Sequence, residues 1–168
     1  MLAHQVHGRV FHATIPSVQL ASELMANGTP ADIAEAADIF RAVLTCQEVR
    51  EADPHLGNFR WELEDEVVED LNAVQFVLFY CIPVLCKTPN VLPPDLIAAM
   101  RSAIALGLQE IARIDVAPTY TNIVIKDIAN SCLGGQLLNN EEIARRGREK
   151  LVHWMVHVDT YGLPAEYN

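Results

Sequence analysis

DLNAVQFVLFYCIPVLCKTPNVLPPDLIAAMRSAIALGLQEIARI, residues 70–114, decides the fold. From Asp70 to Cys86 apolar residues occupy nearly every position, a pattern that suits a helix enclosed by other helices. Thr88-Pro89 ends it, because a residue that precedes proline is pushed out of the helical region. Pro93-Pro94 then opens a second helix with proline at its first position and Asp95 in its first turn, where the helix dipole favours a negative charge. Leu96, Met100, Ala103 and Ile111 recur at helical spacing as far as Ile114. Two helices joined by so short a link form an antiparallel hairpin.

The same punctuation repeats on both sides. Thr29-Pro30 is an N-cap followed by proline, and Ile33, Ala37, Phe40 and Leu44 mark one face of a helix over about 30–48. Before it, a shorter helix over about 17–26 stops at Asn27-Gly28, a pair that accepts left-handed backbone. C-terminal to the central hairpin, a helix from Thr121 to Leu138 precedes one over about 140–160, closed at Tyr161-Gly162. In that last helix Ile143, Gly147, Leu151, Trp154, Met155 and Val158 read as the core stripe, and Arg145, Arg146, Arg148 and Glu149 lie outside it. No strand pattern is read beside these six helices. The expected fold class is all-α, with three antiparallel helical hairpins forming about half of an (α/α)6 toroid. Residues 1–168 read as one helical domain.

Composition sets outer limits. Half the residues are hydrophobic, and 12 basic against 22 acidic side chains give a formal charge of -10. With no Lys/Arg cluster, phosphate backbones would be repelled, which excludes nucleic acid as the expected partner. No run approaches the ~20 apolar residues of a membrane span, since Val74 to Cys86 contains Gln75 and Pro83. The N-terminus lacks the charged and apolar regions of a secretory signal, so the expected location is cytoplasmic. Cys46, Cys81, Cys86 and Cys132 lack CxxC spacing and read as buried thiols of a reducing compartment. Neither a metal nor a cofactor is expected. HWMVH, residues 153–157, spaces two histidines by one helical turn but lacks the glutamate of the zincin motif.

Because each hairpin reverses the chain, the first, third and fifth helices begin at one end, and the segments preceding them meet there. Those segments bring His12, GNFRWELEDEVVEDLN (57–72), APTYTN (117–122) and AEYN (165–168) to a common mouth. Trp61, Tyr120 and Tyr167 offer aromatic faces; Glu62, Glu66, Asp70 and Glu166 offer carboxylates; Asn72, Asn122 and Asn168 offer amides that donate and accept. Sugars present apolar C–H faces and dense hydroxyls, and this inventory suits them. Glu62, Asp70, Glu166 and Tyr120 are the candidate catalytic residues, with His12, Trp61, Asn72, Asn122, Tyr167 and Asn168 the candidate substrate-binding ones. Two carboxylates serve glycoside hydrolysis, and an amide beside a tyrosine or histidine base serves uronate elimination; the residues leave both open.

The ordered set Trp61, Glu64, Asp70, Asn72, Phe76, then Tyr120 to Ile123, then Gly162, Glu166, Tyr167, Asn168, resembles a family of uncharacterised (α/α) toroid proteins. That family is similar in architecture to six-hairpin glycosidases and to heparinase- and alginate-lyase-type polysaccharide lyases. The resemblance spans nearly the whole chain and implies binding or cleavage of an oligosaccharide or polysaccharide at the toroid mouth. In the family Glu-Tyr-Asn is followed by further hairpins, so residues 1–168 correspond to the N-terminal half of the ring. The apolar inner face would then lie open unless another chain covers it, which leaves three readings: an incomplete fragment, a homodimer through the open face, or a domain that has lost the activity.

Each residue also has a plainer role. Trp61 seals a core in that reading, Asp70 caps the third helix, Thr121 or Asn122 caps the fifth and Asn140 the sixth. The run Glu62 to Glu69 is then a solvated acidic face. A non-catalytic sugar-binding domain and a helical scaffold for protein partners are the alternatives to an enzyme.

Overall fold

The computed structural model describes residues 1–162. Two strands, β1 (Leu2–Val6) and β2 (Arg9–Ala13), precede six helices: α1 (Thr14–Asn27), α2 (Pro30–Leu44), α3 (Ala73–Lys87), α4 (Pro94–Ile114), α5 (Thr121–Leu137) and α6 (Glu141–Tyr161). The fold is therefore mostly helical, as expected, and the expectation of no strands is corrected. β1 and β2 pair antiparallel with Leu2 opposite Ala13 and Val6 opposite Arg9. His7 and Gly8 turn the chain with φ of 49° and 79°, the left-handed pair a two-residue hairpin requires.

The helix boundaries follow local chemistry. Thr29 caps α2 by accepting from the Asp32 N–H, and Asn140 caps α6 by accepting from the Ile143 N–H, each at 3.2 Å. α2 stops at Leu44 rather than near residue 48, because Gln47 leaves the helix to bridge Phe59. α3 starts at Ala73 rather than Asp70, whose carboxylate accepts from the Asn72 N–H at 2.7 Å and holds a turn. α1 starts at Thr14, three residues earlier than expected, where the Thr14 N–H donates to the Trp61 carbonyl at 2.8 Å.

α1, α3 and α5 lie side by side, α1 against α3 and α3 against α5, while α2 packs on α1, α4 on α3 and α6 on α5. The core between them includes Phe40, Leu78, Ile82, Leu96, Met100, Ile104, Leu108 and Ile111, all essentially inaccessible. Each such side chain contributes about 1.5–3 kcal/mol by leaving water. The buried Asn130 amide of α5 donates to the Gln75 backbone and side-chain oxygens of α3 at 2.9 and 3.2 Å, cross-linking the two helices. Among the described residues no helix is long and apolar enough to cross a membrane.

The 45–72 connection is ordered by its own polar groups. Buried Asn58 donates to the Leu71 carbonyl and to Glu110, and accepts from the Phe59 and Val74 N–H groups. Gln47 donates to the carbonyls of Gly57 and Ala103, tying the loop to α4. Gly57 has φ of 93°, and a Cβ there would meet the Leu106 carbonyl oxygen at 2.5 Å, so the loop lies directly on α4.

Two expectations about side-chain placement are corrected. Cys86 is exposed and Cys132 half-buried, whereas Cys46 and Cys81 are buried; all four are free, and burial pushes the Cys81 thiol up to about 12. On α6, Ala144 and Gly147 face α5, but Leu151 and Met155 of the expected core stripe are exposed.

Candidate functional site

A concavity of about 1030 Å³ is an open groove between the segment before α3 and the segment before α5. Glu69, Asp70, Leu71 and Asn72 form one wall, and Ile114, Val116, Ala117, Thr119 and Tyr120 the other. The turn held by Asp70 positions Asn72, whose carbonyl accepts from the Gln75 N–H at 2.9 Å at the start of α3. The Tyr120 carbonyl accepts from the Ile123 and Val124 N–H groups and so opens α5. These two helix starts bring the Asn72 amide nitrogen to 3.5 Å from the Tyr120 hydroxyl across the groove. Tyr120 stays exposed on that wall, and Val116 beside it is buried.

A second cluster adjoins the start of α1. The segment 61–63 runs beside β2 as a short third rung: Glu62 bridges Ala13, and the Leu63 N–H donates to the His12 carbonyl at 3.0 Å. Trp61 is half-buried against the core, its ring centroid 6.0 Å from that of Phe76 in the first turn of α3. Lys126 of α5 places its ammonium 4.6 Å from the Phe76 centroid and 5.6 Å from that of Phe79, within cation–π range.

Four ionisable groups complete this cluster. Glu64 receives His12 twice, from the backbone N–H at 2.9 Å and through Nδ1 at 2.6 Å, and these bonds hold its carboxyl below the usual range. Glu62 is placed differently. Oε1 lies 3.9 Å from His4 Nε2, and Oε2 is buried without a hydrogen-bond partner among the described residues. Burial pushes the Glu62 carboxyl up, against the smaller opposing pull of His4.

The candidates from the sequence therefore divide. Asp70, Asn72 and Tyr120 share the groove. His12, Trp61 and Glu62 belong to the cluster around β2, because the 61–63 segment is captured by that strand. Asn122 lies in the first turn of α5, where its carbonyl accepts from Lys126 Nζ at 3.2 Å. Glu66 is exposed, while Glu166, Tyr167 and Asn168 lie outside the described residues. Sequence reasoning missed His4 and Lys126. The only signal for Lys126 was its position one helical turn after Asn122.

Trp61–Phe76, Lys126–Phe76 and Asn72–Tyr120 link the starts of α1, α3 and α5 into one continuous end of the molecule. Among the described residues no group of three or more His, Cys, Asp or Glu is arranged to hold a metal ion. His153 is exposed, and His157 packs its ring 5.0 Å from that of Tyr161. No protein-family model, no curated protein and no solved structure matches the chain.

Proposed function

We propose that this chain binds carbohydrate in the groove between Asp70–Asn72 and Tyr120, as part of an (α/α) toroid of the glycosidase and polysaccharide-lyase kind. The observation that carries the reading is the meeting of Asp70, Asn72 and Tyr120 at the starts of two adjacent helices. The row α1, α3, α5 backed by their partners is the arrangement three helical hairpins of such a ring would have. An exposed tyrosine ring matches the C–H face of a pyranose, and a carboxylate beside an amide matches a pair of neighbouring hydroxyls.

Within the described residues the groove favours binding over cleavage. Its two carboxylates, Glu69 and Asp70, are adjacent in sequence, and Asp70 is engaged in the turn before α3. A glycosidase sets an acid and a base on opposite sides of the scissile bond. Glu62, whose carboxyl burial pushes up, lies in the neighbouring cluster and not on the groove walls.

The test is calorimetric titration with neutral and uronate-containing oligosaccharides. Tyr120→Ala, an exposed substitution, is expected to weaken binding by about 10-fold or more, equivalent to about 1.4 kcal/mol. Absence of saturable binding to every oligosaccharide, or binding indifferent to Tyr120→Ala and Asn72→Ala together, would overturn the reading.

A further inference from the structure

The C-terminal half of α6 presents an apolar surface that none of the described residues covers. Val152, Met155 and Val156 are 58%, 53% and 59% exposed, and Leu151 is 38% exposed. At about 100° per residue these four share one side of the helix. Arg148 lies one turn before them on that side and Asp159 one turn after, both exposed.

The order of these residues is palindromic. Charge, two apolar residues, a two-residue gap, two apolar residues and opposite charge run symmetrically about a point between His153 and Trp154. We propose that α6 is a self-complementary docking helix through which two copies of this chain pair, antiparallel, about a two-fold axis at that point. Val152 then meets the partner's Met155 and Arg148 meets the partner's Asp159, each contact occurring twice, with Leu151 and Val156 along the two edges of the seam. A parallel pairing would oppose Arg148 to Arg148 and Asp159 to Asp159.

The charge pattern selects a second copy over a lipid surface. A membrane-binding helix flanks its apolar side with Lys and Arg, whereas this stripe has Arg148 at one end, Asp159 at the other and Glu149 beside it, on a chain of formal charge -10. Arg145 is paired with Glu149 at 2.7 Å, which holds that guanidinium along the helix surface, and pairing of two copies adds the partner's Asp159 as a second carboxylate to Arg148, which bonds Glu141 within one chain.

The experiment is sedimentation equilibrium of the 168-residue chain, with circular dichroism on every variant. The wild type is expected at twice 18.6 kDa. Val152→Glu with Met155→Glu replaces only exposed side chains and is expected to give a folded monomer. Arg148→Asp and Asp159→Arg, each alone, are expected to weaken dimerisation by about 10-fold or more, and the two together in one chain to restore it. In a Cys86→Ser background, Val152→Cys copies mixed with Met155→Cys copies should cross-link to one another in preference to themselves. A wild-type monomer at about 100 μM overturns the proposal, as does a dimer that survives Val152→Glu/Met155→Glu or is not restored by the double charge reversal. A monomer that binds anionic vesicles through the stripe overturns it in favour of a lipid surface.

Discussion

Replacing Gly135 by alanine tests the seam between α5 and α6 directly. A Cβ at that position would meet the Ala144 backbone nitrogen at 2.4 Å, its Cα at 2.8 Å and its Cβ at 2.9 Å. None of these atoms swings aside, so α6 must retreat by roughly 1 Å, and such a gap forfeits a quarter to a half of the dispersion energy of the contacts it opens. Overpacking of this kind costs about 1–3 kcal/mol, and a rigid backbone obstacle belongs at the upper end. Alanine returns up to about 1 kcal/mol of helix propensity, leaving a net loss of about 2 kcal/mol. For a chain of this length that lowers Tm by about 4–8 °C, read by calorimetry or by dichroism at 222 nm. Gly107→Ala is the control. Its Cβ would meet only methyl groups of Leu78 and Val74 at 3.0–3.1 Å, which yield by small rotations, so its Tm should stay within a few degrees of wild type. A Gly135→Ala protein that melts at or above the wild-type temperature would refute close backbone contact between α5 and α6.

Asn58→Ala removes two donor bonds and leaves the buried Val74 and Phe59 N–H groups without their acceptor, so we expect about 3 kcal/mol of destabilisation in urea titration. Hydrogen exchange at residues 69–74 should accelerate in the same variant, because Asn58 also anchors the Leu71 carbonyl of the groove wall. Asp127→Ala should cost about 1.5–3 kcal/mol, with urea unfolding as the measure, because Arg146 and Lys150 lose a wholly inaccessible carboxylate at 2.6 and 3.0 Å but keep Asp115. Glu48, hydrogen-bonded to Arg50, has its carboxyl pulled from 4.5 to about 2 in the folded chain. A depressed folded value stabilises above the unfolded one, so this contribution is complete above pH ~4.5 and fades as pH falls toward ~2; Tm of Glu48→Gln should depend less on pH across that window.

The parts of the fold legible in the sequence are those fixed by neighbours along the chain. Thr29 before Pro30, Pro93 before Pro94, and Asn140 mark helix starts through bonds or ring constraints that span three residues or fewer. The N-terminal hairpin escaped because its alternation is carried by Leu2, His4 and Val6, all exposed, so no buried face imprints a period of two. The order within the 45–72 connection is not legible locally, because Asn58 reaches Glu110 and Gln47 reaches Ala103 across more than 50 positions. Convergence of Asp70, Asn72 and Tyr120 followed from the order of the helices alone. Trp61, Glu62 and His12 went elsewhere because β2 recruits 61–63 as a rung, an event invisible without the hairpin.

The misreading of α6 has the most physical content. Hydrophobicity places Leu151 and Met155 inward, yet the rotation of the helix is set by two other anchors. Gly147 packs so closely on Ser131 and Cys132 that a Cβ would lie 2.7 Å from the Cys132 backbone nitrogen. On the adjoining side Arg146 and Lys150 reach buried Asp127, and both also bind Asp115 at the end of α4. A charge as deeply placed as Asp127 would cost several kcal/mol without its cations, more than the exposure of two aliphatic side chains. The ionic anchor therefore wins, and with Gly147 and Arg146 fixed inward the helical period carries Val152, Met155 and Val156 outward and leaves Leu151, one turn after Gly147, at the rim of the seam. The same bonds that close the seam on one side create the apolar stripe on the other, so a variant that frees Asp127 should disturb pairing between copies as well as stability.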